Sequence, residues 1–202
     1  MMNMRIVRTT FPVLALACAL AAATPTTIPA QGTTTLEFDP AQTKVEFTLS
    51  GNLHTVHGTF ALKRGAIHFD PVAGKASGEL VVDAASGDSG SDGRDKNMHQ
   101  HVLESAKYSE IVFRPDRLEG KIAPQGSSHV QLHGIFTIHG AEHEIAVPVL
   151  VAMDGGRYTA TATFDVPYVK WGMKNPSKLM FRVTDHVEIT IHTSGAPSPQ
   201  AR

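Results

Sequence analysis

From Thr43 onward, hydrophobic and polar residues alternate along the chain. Val45, Phe47 and Leu49 fall on one side of such a run; Lys44, Glu46 and Thr48 fall on the other. The pattern recurs at Val130, Leu132, Phe136 and Ile138, and at Ile145, Val147, Val149 and Val151. It returns at Tyr158, Ala160, Ala162 and Phe164, then at Val187, Ile189 and Ile191. Successive side chains of a strand point to opposite faces, so this period predicts strands with one buried face. Antiparallel sheets bury one face in this way. Gly65, Gly74, Gly140 and the pair Gly155-Gly156 stand between runs, where hairpin turns are needed. The runs leave little room for crossover helices, which predicts an all-β meander closed as an antiparallel barrel or packed as a sandwich. One segment departs from the alternation. Asp95 or Asn97 can cap a helix on which Met98 and Val102 stand one turn apart, predicting a short helix around residues 96–105.

The two ends read differently from the body. Residues 1–23 carry Arg5 and Arg8, then an apolar run from Phe11 that is too short for a membrane anchor, and close on Ala21-Ala22-Ala23. This predicts an export signal cleaved near Ala23, with a periplasmic or secreted product. Ala15-Leu16-Ala17 is a poor lipobox, so lipidation at Cys18 is the lesser alternative. Thr/Pro-rich residues 24–34 read as a spacer, 35–193 as the barrel domain, and 194–202 as a frayed tail.

Composition narrows the function. The chain has 202 residues, a formal net charge of -1 and one cysteine, which lies inside the predicted leader. A nearly neutral chain offers no broad basic surface for nucleic acid. Without a second cysteine there is neither an internal disulfide nor a thiolate metal cluster. His139-Gly-Ala-Glu142-His143 matches the order of an inverted zinc-peptidase motif, but strand patterning flanks it on both sides. A tight hairpin with His139 and His143 at the strand ends explains it better. Asp88 to Asp95 resembles a calcium loop only in part, with His99 where a bidentate Glu is needed. No nucleophile elbow, Walker loop or dinucleotide fingerprint occurs. The pairs His54/His57 and His99/His101 leave a histidine-dependent metal-binding protein as an alternative.

A barrel built from these runs turns a defined set of side chains inward. They are Val45, Phe47 and Leu49, then Phe60 and Leu62, Leu80 and Val82, Phe113, Phe136, Val147 and Phe164. Such side chains either fill the barrel or line a ligand cavity, and alternation does not choose between these. An open interior that buried about twelve methylenes would contribute on the order of 10 kcal/mol gross, less ordering costs. The segment from Phe164 to Ser177 gathers Tyr168, Lys170, Trp171 and Met173 in a loop broken by Pro167 and Pro176. It reads as a lid with lysines at a polar head group or as a plug at one barrel end, and both can hold at once.

The order of features resembles a known family. Asp39 to Phe47 is followed by His54-Thr-Val-His-Gly-Thr-Phe60 and by Gly65-Ala-Ile-His-Phe-Asp70. Arg94-Asp95 leads into Met98 to Ser105, then Ile111-Val-Phe113 and Leu132-His-Gly-Ile-Phe-Thr-Ile-His-Gly140. This series resembles the YceI-like family of exported polyisoprenoid-binding proteins. The resemblance implies a lipocalin-like extended barrel with an elongated apolar cavity. It implies an isoprenoid or fatty-acid derivative as ligand, held for transport, storage or envelope stress response, with no catalysis and no cofactor. Arg94-Asp95 matches the family's Arg-Asp pair, and Gly134 and Gly140 match its strand and turn glycines. Gln42-Thr43 stands where the family more often has His-Ser, and the Trp171 loop departs from the commoner sequence. The combined reading sets Trp171 with the apolar lining, and Arg94, Asp95, Tyr168 and Lys170 at the head-group rim. Edge strands would permit a homodimer, and transient membrane contact is expected of a lipid carrier. A structural β domain with a filled core is the remaining alternative.

Overall fold

The computed structural model describes residues 33–70 and 73–199. The predicted leader with Cys18, and the spacer as far as residue 32, lie outside the described residues. Among the described residues eleven strands form one antiparallel sheet. In chain order they are β1 (Thr34–Glu37), β2 (Thr43–Leu49), β3 (Val56–Phe60), β4 (Leu62–Asp70), β5 (Lys75–Asp83) and β6 (Glu110–Glu119). Then follow β7 (Gly126–Ile138), β8 (Ala141–Asp154), β9 (Arg157–Val166), β10 (Val187–Gly195) and β11 (Ser198–Pro199). The spatial order is β11-β1-β4-β5-β6-β7-β8-β9-β10-β2-β3. The run from β4 to β10 is therefore a meander, as the alternating runs and short turns predict.

The sheet closes through its own chain. β3 pairs with β2 at one end of this order, and β4 pairs with β1 and β5 near the other. Only Ala61 separates β3 from β4. One bent strand thus serves both ends of the sheet and curls it into a barrel. The bend is pinned where the Ala61 amide donates to Ser86 Oγ at 2.7 Å and the Asp83 amide donates to the Ala61 carbonyl at 3.0 Å. The free edge of β3 is covered in part by Asp88, whose backbone exchanges two hydrogen bonds with Thr59 at 2.8 and 3.0 Å.

The long β7–β8 hairpin shows how pattern sets register. Val130 lies opposite Val149 and Leu132 opposite Val147, so apolar positions meet on the inner face, and nearer the turn Phe136 lies opposite His143. The connecting turn is His139-Gly140, both at positive φ (52° and 77°), the two-residue geometry that matches strand twist. His139 therefore forms the turn itself rather than a strand end, and only His143 stands in a strand. At Gly134 a Cβ would lie 2.2 Å from the Arg114 carbonyl oxygen. Here β6 slips register between Pro115 and Arg117, and only a residue without a side chain lets the strands approach so closely.

Four local expectations change. Gly65 lies inside β4, not in a turn; its carbonyl accepts from the Phe38 amide at 2.9 Å, bringing Phe38 across it. The helix starts earlier, as α1 (Asp92–Asn97), and loosens into a π-turn over Met98–Val102. It stops at Glu104, whose positive φ of 48° ends the helical path, so Ser105 is not helical. The tail boundary also moves. Ser194 and Gly195 complete β10, and Ser198–Pro199 pair with Thr34 and Thr35 of β1. Thr34, assigned to the spacer, is thus a strand residue.

Two apolar clusters pack inside the barrel. One joins Leu36, Phe38, Ile67, Phe69, Leu132, Val151 and Tyr158. The other joins Leu103, Phe136, Ile138, Val166, Tyr168 and Met173, with Met98 and Val102 of the helical segment packed against it. The helix and the loop after β9 thus close part of one barrel end.

Candidate functional site

The interior is hollow. A cavity of about 670 Å³ opens at the barrel end where β2 leaves Leu49 and β9 leaves Val166. A narrower space of about 110 Å³ continues inward, with only apolar surface exposed to it. Val45, Val82, Ile111, Phe136, Phe164 and Ile191 border both, so the two form one tapering channel. The narrow part stays open for a sequence reason: on β9, Ala162 lies between Val149 and Ile191 of the neighbouring strands and Ala160 between Val151 and Thr193, so small side chains leave space there. Beyond Ala160, Tyr158 is 1% exposed, and its hydroxyl donates to the Glu37 carbonyl at 2.8 Å. That bond satisfies the one polar atom of a ring buried at the narrow end.

The eleven strand residues expected on the inner face all border this channel. Phe47, Leu49 and Phe60 border the wide part, Leu62, Leu80, Phe113 and Val147 the narrow part, and Val45, Val82, Phe136 and Phe164 both. Trp171 does not line it. Its indole stacks flat on the His143 imidazole, with centroids 4.0 Å apart and planes 6° apart, and lies 5.8 Å from Phe136. These are contacts that the plug reading expects. Burial of His143 lowers its pKa below the ordinary imidazole value, and its Nε2 has no hydrogen-bond partner among the described residues.

The rim assignments divide. Arg94 and Asp95 border the mouth, as do Ser89, Ser91 and Asn97. The Ser89 amide and hydroxyl donate to Asp95 Oδ1 at 2.9 and 2.5 Å, while Arg94 donates to the Ser89 carbonyl at 2.9 Å. Burial raises the Asp95 carboxyl, but hydrogen bonds from Ser89 and Ser91 outweigh it and hold the group below its usual value. Tyr168 presents its ring to the cavity, but its hydroxyl donates to the Thr184 carbonyl at 2.7 Å. Burial, with the Asp185 charge adding to it, pushes this phenol up to about 12. Tyr168 is thus a brace rather than a head-group contact. Lys170 is exposed and does not border the mouth.

Lys178 and Arg182 are the cations of that loop that do border the mouth, together with Phe181, Leu53 and His54. Sequence reasoning missed them because they lie outside the alternating runs. The available signal was Lys178-Leu-Met-Phe-Arg182, an apolar triplet between two cations. Of the histidine pairs, His99 is engaged by the Gly87 carbonyl at 2.9 Å and Ser105 Oγ at 3.2 Å, and His57 by Thr48 Oγ1 at 3.2 Å. Among the described residues no group of three or more His, Cys, Asp or Glu side chains could hold a metal ion.

The family model described as the YceI-like domain matches residues 36–194. Among solved structures, the chain is similar to BcnA of Burkholderia cenocepacia, with a TM-score of 0.65 and 21% identity over 79% of this chain and 99% of that one. It is also similar to a polyisoprenoid binding domain from Saccharophagus degradans implicated in plant cell wall breakdown (TM-score 0.60, 15% identity, 80% of this chain and 98% of that one). A third likeness is to the Campylobacter jejuni YceI protein, with a TM-score of 0.54 and 16% identity over 73% of this chain and 84% of that one. No curated protein matches the sequence. At these identities the structural likenesses establish a shared fold.

Proposed function

The chain belongs to the YceI-like domain family, and on that premise we propose that it is an exported binding protein for a long-chain amphiphile. The observation that carries this reading is the tapering channel, whose inner section exposes only apolar surface. An apolar cavity of this kind excludes water and gains free energy from each methylene it covers, about 0.8 kcal/mol apiece. Polar side chains gather at the mouth: Arg94, Asn97, Lys178 and Arg182. That polarity matches a ligand with an apolar tail and a polar or anionic head. The similar polyisoprenoid binding domain makes an isoprenoid chain the first ligand to test. The apolar N-terminal segment with Arg5 and Arg8 supports export. Binding, rather than covalent chemistry, suits a channel whose deep lining carries no titratable side chain.

Native mass spectrometry of freshly purified protein tests the proposal. The expected result is a population heavier by the mass of one lipid, with an isoprenoid or fatty-acyl chain on extraction. Repeated preparations that are empty, and that also fail to take up apolar fluorescent probes, would overturn it.

A further inference from the structure

The mouth carries an apolar ledge that the fold leaves uncovered. Leu179 is 100% exposed, Met180 74%, Leu53 64% and Phe181 55%. Leu179 and Met180 form the tip of a small hairpin in which Lys178 and Phe181 exchange backbone hydrogen bonds at 2.8 and 2.6 Å. The hairpin is held in place. Asn52 donates to the Met180 carbonyl at 3.1 Å, and Asn52 Oδ1 accepts from the Arg182 amide at 3.0 Å. The Asn52 and Thr184 amides donate across to Arg182 and Ser50, each at 2.9 Å. These bonds join the Leu53 loop and the hairpin into one projecting platform beside the cavity mouth.

The loop that carries the hairpin differs in charge from the chain. The loop from Pro167 to His186 holds Lys170, Lys174, Lys178 and Arg182 against a single acid, Asp185, in a protein of net charge -1. Asp185 is hydrogen-bonded to its neighbour His186 at 3.1 Å. None of the four cations enters an ion pair among the described residues. Lys178 and Arg182 flank the projecting apolar tip, and unpaired cations beside such a tip are the pattern of interfacial membrane binding: the tip enters the acyl boundary and the cations meet anionic head groups.

We propose that this platform docks on the surface of an anionic phospholipid bilayer, so that the mouth faces the membrane during uptake or release of the amphiphile. The docking rests on the lipid-binding reading for its purpose, but not for its existence. Phe181 and Leu53 belong both to the platform and to the mouth, so a docked protein offers a continuous apolar path from acyl chains to channel. A convex tip whose leading residue, Leu179, is fully exposed suits a deformable bilayer better than a second protein surface, which would need a matching pocket.

Flotation with phosphatidylcholine vesicles, with and without about one-third phosphatidylglycerol, tests the docking. The full chain is compared with variants in the same background, so the apolar N-terminal segment contributes equally. Binding is expected on the anionic vesicles and should weaken as salt rises. The double variant Leu179→Asp, Met180→Asp should weaken it by about tenfold or more, and Lys174→Ala by about fivefold. Neither change touches the channel lining, so uptake of a fluorescent fatty acid in vesicle-free buffer should be unchanged. Vesicle binding that is absent, or equal in the double variant, overturns the docking even if the cavity takes up the probe. Tip-dependent binding by a protein that takes up no probe supports the docking and overturns the lipid-binding function. A concentration-dependent dimer abolished by the double variant, without vesicle binding, overturns the docking in favour of contact between two copies.

Discussion

Asp95 ties the cavity mouth together by accepting from both the amide and the hydroxyl of Ser89. Its folded pKa lies below the ordinary value, so its stabilisation is complete above the unfolded pKa of about 3.9 and is lost as pH falls through the folded value. Asp95→Asn is expected to cost about 1–2 kcal/mol near neutrality, and the gap between the two melting curves should close in strong acid. A gap that persists there would count against the carboxylate as its source. His143 has the opposite charge logic. Burial disfavours its protonated form, so the stacked pair with Trp171 is fully stable above about pH 6.5 and weakens as pH drops below it. Trp171→Ala should expose the imidazole and flatten that dependence in urea titrations at neutral and mildly acidic pH. An unchanged pH slope would show that the stack does not set it. Tyr168→Phe should cost about 1 kcal/mol with no loss of ligand affinity, because the hydroxyl serves Thr184 and not the cavity.

At the scale of elements, the regular strands were legible because one physical rule governs them. Where one face is buried along its length, as in β2 and β7, alternation alone names the inward side chains. The same rule located the channel lining, but not whether the channel is open. That depends on Ala160 and Ala162, whose small size the period does not weigh. The turn at His139-Gly140 was readable from its glycine; Gly65 misled because a glycine inside a strand serves close approach as readily as a turn. The loop after β9 was the least readable element, since its form is set by bonds to Asn52 and Ser50, far away in sequence. Trp171 therefore stacks on His143 instead of lining the cavity, and Lys178 rather than Lys170 reaches the mouth. The alanines of β9 give a sharp prediction. Ala162→Phe should block the narrow section, leaving the wide section open. Lipid extracted from that variant should have shorter chains, and a shorter ligand should bind about as well as to the parent. Unchanged chain length would mean the ligand never reaches past Phe164.

The whole molecule joins a closed meander to an interior that its own side chains do not fill. Closure through Ala61 fixes the barrel circumference with a covalent link, so the cavity does not collapse easily when empty. An unfilled apolar space forgoes the contacts a packed core would make, and the protein alone is less stable for it. A ligand that occupies the channel in the folded state only must restore stability by mass action. At a hundredfold excess over its dissociation constant the gain is about 2.7 kcal/mol. For a domain of this size each kcal/mol raises the melting temperature by roughly 2–4 °C. Stripping bound lipid should therefore lower the melting temperature by roughly 5–10 °C, and adding back the extracted lipid should restore it. The shift should grow with lipid concentration and shrink in Ala162→Phe for long chains only, since that variant removes the narrow section and leaves the mouth. Differential scanning calorimetry on native, stripped and reloaded protein reads this directly. A melting temperature indifferent to lipid would mean that the channel is a packing defect of the fold and not a site selected for a ligand.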